Sequence, residues 1–301
     1  MAQTNVLLFG GSGQFGTEFQ RLAPSDWRIV APDWSELDIA DPAAVARILA
    51  LGPWALLINA AAYTEVDRAE REIGEAWRAN ALGPAMLAEA SARAGVPIIH
   101  LSTDYVFDGI KDGAYCEYDA VAPLGVYGAS KEGGEQAIRT GNPRHIILRT
   151  AWLVSPHGKN FIKTILRLAA ERPLLRVVDD QRGSPTSAAD LAATVTAIGQ
   201  RLVTDPAAST GTYHFVNGGE ATWFELARAV LDRAAARGRK VPPIEAIPSR
   251  EYPTPAKRPA NSRLSTSKLQ RDFDVIPRLW RQAIEEIVDE LVPSQAEQKV
   301  K

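Results

Sequence analysis

Short, almost wholly apolar runs alternate with stretches of helical spacing through the first half of the chain. Asn5–Phe9, Arg28–Ala31, Leu56–Asn59, Pro97–His100 and His145–Leu148 have the length and composition of strands buried on both faces. Between them, Pro42–Leu51 and Pro84–Ala94 are alanine-rich, with apolar positions at helical intervals. This alternation predicts an α/β fold, a doubly wound parallel sheet of Rossmann type. After Thr150 the pattern loosens. Helices are expected over Asn160–Glu171, Ser187–Leu202, Thr222–Arg237 and Arg278–Leu291, and strands at Leu174–Val178 and Tyr213–Val216. Thr222 and Glu225 have the spacing of a capping box. Pro242–Pro259 is too rich in proline for long regular structure, and Pro293–Lys301 reads as a tail. The division expected is a dinucleotide-binding domain over 1–150, with later elements from about 174–216 added to it, and a smaller, discontinuous substrate-binding lobe over 151–301.

Composition narrows the class. The 301 residues carry 34 Lys+Arg against 36 Asp+Glu, so no basic excess points to nucleic acid. The only cysteine, Cys116, excludes an internal disulfide and fits a reducing compartment. Residues 1–9 lack the basic start of a signal peptide, and the apolar run Trp54–Ala62 holds Asn59 and is too short to cross a bilayer. A cytoplasmic protein with no membrane partner is expected. The four histidines are scattered without ligand spacing, so no metal cluster is expected from them.

Gly10, Gly13 and Gly16 follow the first apolar run and lead into a helical stretch. Glycines there let the backbone approach a pyrophosphate, and a helix N-terminus supplies free N–H groups and partial positive charge. The G-x-x-G-x-x-G spacing resembles the short-chain dehydrogenase form of the dinucleotide loop. The second strand ends at Asp33, whose carboxylate suits a ribose 2′-hydroxyl and repels a 2′-phosphate. No arginine follows at once, so Asp33 favours NADH. Asp38 is placed to face the adenine, and Asp41 before Pro42 reads as a helix N-cap. The third strand runs into Asn59-Ala60-Ala61-Ala62-Tyr63, small residues against which a flat cofactor can lie.

Tyr127 is the only one of seven tyrosines with a lysine, Lys131, four residues on. On a helix the two share a face, and a nearby ammonium is expected to lower the phenol's pKa for proton transfer. A hydroxyl should orient the carbonyl. Ser102 and Thr103 both stand at the fourth strand's end, and alternation lets only one of them face the site.

Ser102–Gly109 followed by Tyr127–Lys131 resembles the extended short-chain dehydrogenases that act on nucleotide sugars. Gly13–Gly16, Asn59–Asp67, Arg149–Trp152, Asp180–Thr186 and Tyr252–Pro259 narrow the resemblance to the dTDP-4-dehydrorhamnose reductase family, over Val6 to about Leu291. The resemblance implies NADPH- or NADH-dependent reduction of dTDP-4-dehydro-β-L-rhamnose to dTDP-L-rhamnose, a building block of cell-wall polysaccharide. It implies Tyr127 as proton donor, Lys131 as its partner and Thr103 as the hydroxyl beside the substrate. Asp104 and Trp152 match substrate contacts. Gly13, Gln14, Phe15, Asp33, Asp38, Ile39, Ala62, Tyr63 and Thr64 match cofactor contacts, Tyr63 standing where some relatives have His. The segment around Arg258 and Arg263 is expected near the nucleotide diphosphate, since arginine suits phosphate geometry. Some members form homodimers around Mg²⁺ through acidic residues. Glu18 and Asp190 stand at the matching positions, but Asp190 is one methylene shorter than the Glu found elsewhere, and no metal is assigned. Two alternatives stay open: a reductase or epimerase of another nucleotide sugar, and a non-catalytic dinucleotide-binding regulatory subunit, because fold does not fix function.

Overall fold

In the computed structural model, which describes residues 3–293, the apolar runs pair edge to edge. The tail expected at Pro293–Lys301 lies outside the described residues except for Pro293. The first half runs β1 (Thr4–Phe9), α1 (Gln14–Leu22), β2 (Trp27–Val30), α2 (Pro42–Ala50), β3 (Leu56–Asn59), α3 (Val66–Ala69), α4 (Ile73–Trp77), α5 (Gly83–Arg93), β4 (Ile98–Thr103), α6 (Val126–Gly141) and β5 (His145–Thr150). The rest runs β6 (Leu153–Val154), α7 (Phe161–Glu171), β7 (Leu175–Val178), β8 (Arg182–Gly183), β9 (Thr186–Ser187), α8 (Ala188–Thr204), β10 (Gly211–His214), β11 (Ala221–Thr222), α9 (Trp223–Ala236), β12 (Ile244–Ile247), α10 (Ser267–Phe273) and α11 (Trp280–Leu291). A π-helical turn, Arg78–Leu82, joins α4 to α5.

Six parallel strands form the main sheet, in the order β10-β5-β4-β3-β1-β2. Successive side chains go to opposite faces. Val6 and Leu8 pack with Leu56, Ile58 and Ile146 against Phe19 of α1 and Leu191, Val195 and Ile198 of α8. Leu7 and Phe9 pack with Leu57, Ile98 and Ile147 against Val45 of α2, Leu87 of α5 and Ile138 of α6. Both faces are therefore covered, which is why these strands read as unbroken apolar runs.

A second core lies in the later part of the chain, where α7, α9 and α11 bring Ile162, Ile165, Leu226, Val230, Ile284 and Val288 together. The strand expected at Leu174–Val178 does not enter the main sheet: β7 pairs in parallel with β12 beside this second core. The capping box is present at the start of α9, with Glu225 N donating to Thr222 Oγ1 at 3.1 Å and Thr222 N to Glu225 Oε2 at 2.8 Å.

The strand order reverses between β1 and β3, the place where an open α/β sheet leaves a crevice at the strands' carboxyl ends. The glycine loop leaves β1 and the alanine run leaves β3 at this crevice.

Candidate functional site

A cleft of about 1070 Å³ opens there. At one side Gly10, Gly13, Gln14, Phe15 and Gly16 line it. Gly10 has φ +85°, and a Cβ on it would lie 2.6 Å from the Ala60 carbonyl carbon. A Cβ on Gly16 would lie 2.3 Å from the Gly10 oxygen. The loop thus packs backbone on backbone, a cradle that side chains would fill. α1 begins after Gly13 with no side chain capping it, so its first-turn N–H groups and dipole remain for an anion. This fits the pyrophosphate of a dinucleotide. Gln14 Oε1 also accepts from Ser155 Oγ at 3.1 Å and Asn160 Nδ2 at 2.9 Å, which ties the loop to the segment before α7.

Pro32, Trp34, Leu37, Asp38 and Ile39 line the far end. Asp33 is not among the lining residues. Its Oδ1 accepts from Ser35 N at 3.0 Å and Ser35 Oγ at 2.7 Å, and these bonds hold its carboxyl below the ordinary range. Asp38 accepts from Arg78 at 2.5 Å, an arginine that also lines the cleft. Sequence reading misses Arg78 because it stands forty residues away, on the π-helical turn.

Ala62, Tyr63 and Thr64 line the wall beyond β3. The Tyr63 backbone is fixed by a buried amide that the sequence does not announce: Asn80 Oδ1 accepts from Tyr63 N at 2.8 Å, and Asn80 Nδ2 donates to Tyr63 O at 3.1 Å. The same Nδ2 donates to Ser130 Oγ at 3.0 Å, so Asn80 links this wall to α6 next to Lys131.

Tyr127 and Lys131 both reach the cleft from the first turns of α6. The expected effect of one on the other is not what the geometry gives. The Lys131 Nζ donates to Leu101 O at 2.7 Å, and burial pulls its pKa down to about 8. Burial pushes the Tyr127 phenol up to about 12, with the Thr103 hydroxyl beside it pulling the other way. Desolvation outweighs any help from the ammonium. Alternation separates the two hydroxyls of β4. Ser102 Oγ donates to buried Glu135 at 2.6 Å, and Glu135 is also bound by Arg149 at 2.6 Å. Thr103 Oγ1 faces Tyr127 and bonds Asp104 Oδ1 at 3.1 Å.

Asp104 is buried, and burial raises its pKa to about 6. Its Oδ2 has no partner among the described residues, and neither has Thr150 Oγ1, which lines the same cleft opposite Thr103 in the β4–β5 register. Both are buried polar atoms at the wall of the cleft, and the Ser262 and Thr103 hydroxyls pull the Asp104 carboxyl back down. Thr150 is not singled out by sequence reading, because its place depends on strand register.

Trp152 lines the cleft with φ +48°, a left-handed conformation rare for a bulky residue. Its ring stacks on Trp223, centroids 3.6 Å apart and planes 11° from parallel. Gly183 leaves room for it: a Cβ there would lie 2.5 Å from Trp152 Cε2. Arg258 and Arg263 do not line the cleft. Arg258 donates to both oxygens of Asp67 at 3.0 and 2.9 Å, and Arg263 donates to Glu220 at 2.8 Å and Asn261 at 2.9 Å.

The acids linked to Mg²⁺ by resemblance have partners within the chain. Glu18 is buried against Arg21 at 2.6 Å and His157 at 3.4 Å. Asp190 accepts from Arg278 Nε at 2.9 Å and Asn217 at 2.7 Å. Among the described residues no three His, Cys, Asp or Glu are grouped to hold a metal, and no helix is long and apolar enough to cross a membrane.

The profile of the RmlD substrate binding domain matches residues 4–292. A dTDP-4-dehydrorhamnose reductase of Aggregatibacter actinomycetemcomitans is 42% identical over 286 residues, covering 94% of this chain and 97% of its own. A solved dTDP-4-dehydrorhamnose reductase of Clostridium acetobutylicum superposes with a TM-score of 0.88 at 35% identity, covering 96% of this chain and 99% of its own. One from Bacillus anthracis, solved in complex with NADP, gives the same TM-score at 34% identity and the same coverage.

Proposed function

This chain belongs to the RmlD substrate binding domain family, and on that premise we propose that it reduces the 4-keto group of dTDP-4-dehydro-β-L-rhamnose to give dTDP-L-rhamnose with NAD(P)H. The observation that carries the reading is the meeting, in one cleft, of the phosphate cradle with Tyr127, Lys131 and Thr103. A bound nicotinamide coenzyme supplies the hydride. Tyr127 holds the proton. A phenol at about 12 stays protonated across the neutral range, as a donor to a forming alkoxide must. Thr103 orients the carbonyl oxygen from beside Tyr127. Lys131 binds the nicotinamide ribose and places charge near the reacting oxygen. Asp104 contacts the sugar from the cleft wall, and Trp152 covers the apolar face of the 6-deoxy sugar.

We propose Gly10, Gly13, Gln14, Phe15 and Gly16 for the pyrophosphate, Asp38 and Ile39 for the adenine end, and Ala62, Tyr63 and Thr64 for the ribose–nicotinamide half. Asp33 stands between Pro32 and Trp34, which line the adenine end, and on it rests the expectation that NADH serves at least as well as NADPH. Arg78 offers the cation that a 2′-phosphate needs, so Asp33→Ala is expected to shift the ratio of kcat/KM values toward NADPH. A wild type that prefers NADPH by tenfold or more removes Asp33 from this role. The setting proposed is the cytoplasm, consistent with a lone cysteine, and no metal step is needed.

The test is oxidation of NADH and NADPH in the presence of dTDP-4-dehydrorhamnose made in situ. Oxidation matched by formation of dTDP-L-rhamnose is expected. Turnover only with a different nucleotide sugar would move the activity within the reductases and epimerases of this fold. Coenzyme binding without oxidation by any nucleotide sugar would favour the regulatory subunit.

A further inference from the structure

Trp152 is held in an unfavourable backbone conformation, and its surroundings show by what. A non-glycine residue at φ +48° persists only where neighbours over-determine it. Trp152 O accepts from Thr186 N at 3.1 Å, which pins the backbone. One face of the indole lies on Trp223, and Gly183 admits its edge. Trp223 is itself anchored. Its ring packs on Phe161 at 4.6 Å, and its Nε1 donates to Gln181 Oε1 at 3.2 Å. Gln181 Nε2 in turn donates to Ser249 Oγ at 2.9 Å, within the proline-rich segment. Trp223 belongs to the first turn of α9, and it is absent from the cleft lining.

We propose that Trp223 is a positioning residue for the sugar: it fixes the plane of Trp152 and so sets how tightly the cleft takes the sugar of the nucleotide-sugar substrate. This rests on the reading of Trp152 as the sugar's wall. Trp223 stands behind Trp152 and does not line the cleft. Its loss leaves Trp152 in place but free to tilt, and the sugar then meets a wall that must be ordered on binding.

The experiment measures KM and kcat for dTDP-4-dehydrorhamnose, and KM for NADH, in wild type, Trp152→Ala, Trp223→Leu, Trp223→Phe and the double variant Trp152→Ala/Trp223→Leu. An aromatic stacking contact is worth about a factor of ten in affinity at most. Trp223→Leu is expected to raise the sugar KM by on the order of tenfold, with kcat and the NADH KM changed by less than about threefold. Trp223→Phe keeps a flat ring behind Trp152 and should recover most of the loss. In the Trp152→Ala background, Trp223→Leu should add nothing, because a residue acting through another has no effect once that other is gone. A wild-type sugar KM in folded Trp223→Leu overturns the proposal while leaving the site reading intact. So does a full additive effect in the double variant. If Trp223→Leu does not fold, Trp223→Met, which fills the space without a flat ring, and its double with Trp152→Ala carry the same comparison. A wild-type sugar KM in Trp152→Ala overturns the site reading, and the proposal with it.

Discussion

Lys131 costs the fold stability in order to serve the site. Its pKa falls from 10.5 to about 8 because the ammonium is buried, with the Leu101 carbonyl accepting from it and the Glu135 charge only partly offsetting the burial. That difference corresponds to roughly 3 kcal/mol of unfavourable charge burial at neutral pH. Between about pH 8 and 10.5 the unfolded chain holds this proton and the folded chain does not. The cost therefore applies in full below about pH 8 and fades as pH rises toward 10.5. Lys131→Met should thus be more stable than wild type at pH 7, with the difference shrinking toward pH 10. It should also lose turnover and bind NADH more weakly. Urea unfolding at the two pH values checks this, and a variant less stable at pH 7 contradicts it. The pair Tyr127–Lys131 is readable from sequence because helical spacing alone brings it to one face. The direction of the Tyr127 shift is not, because it depends on how much water the finished cleft excludes. Asn80, Thr150 and Arg78 escape sequence reading for a related reason: each acquires its place from a partner on a different element.

The glycine loop shows how far a single element can be anticipated. A strand, a glycine run and a helix in succession identify the cradle, and the contacts then explain Gly10 and Gly16. Gly16 is the most exacting, since its missing Cβ lets α1 touch the Gly10 carbonyl, where any side chain would clash at 2.3 Å. Gly16→Ala is expected to displace the start of α1 and weaken NADH binding by tenfold or more, an overlap costing about 1–3 kcal/mol. Fluorescence titration with NADH measures it, and unchanged affinity would show that the loop does not hold the pyrophosphate. The stretch Arg182–Thr186 teaches the opposite lesson. It enters the sequence reading only within a segment that carries the family resemblance, but β8 and β9 flank Trp152, and Gly183 is the space its indole occupies. β7 likewise reads as another sheet strand, because a short apolar run does not state which sheet it joins.

At the scale of the molecule, two cores meet across the cleft. The sheet and its flanking helices are legible from periodicity, since a parallel sheet covered on both faces must be apolar throughout. The return of the chain is less so: α8 packs under the main sheet, whereas β7 and α9 build the second core. The proline-rich segment bridges the two, its Arg258 and Ala256 N held by Asp67 at the start of α3. The Asp67 carboxyl is pulled below its ordinary range mainly by Arg258. Tyr105, a cleft residue, lies within reach of both charges. Asp67→Ala should release the segment and raise the KM for the dTDP-sugar several-fold, with the NADH KM within about twofold. Equal effects on both ligands would mean that the bridge supports the fold in general.

The central claim is that Tyr127 gives the proton in a coenzyme-dependent reduction of a nucleotide sugar. Single-turnover NADH oxidation with dTDP-4-dehydrorhamnose, compared between wild type and Tyr127→Phe, tests it most directly. The rings are nearly equal in volume, and the cradle and Lys131 are untouched, so NADH affinity should stay within a few-fold. The rate should fall by about 10²–10⁴, the usual contribution of a general acid. A folded Tyr127→Phe variant that oxidises NADH with the sugar at the wild-type rate would contradict the account.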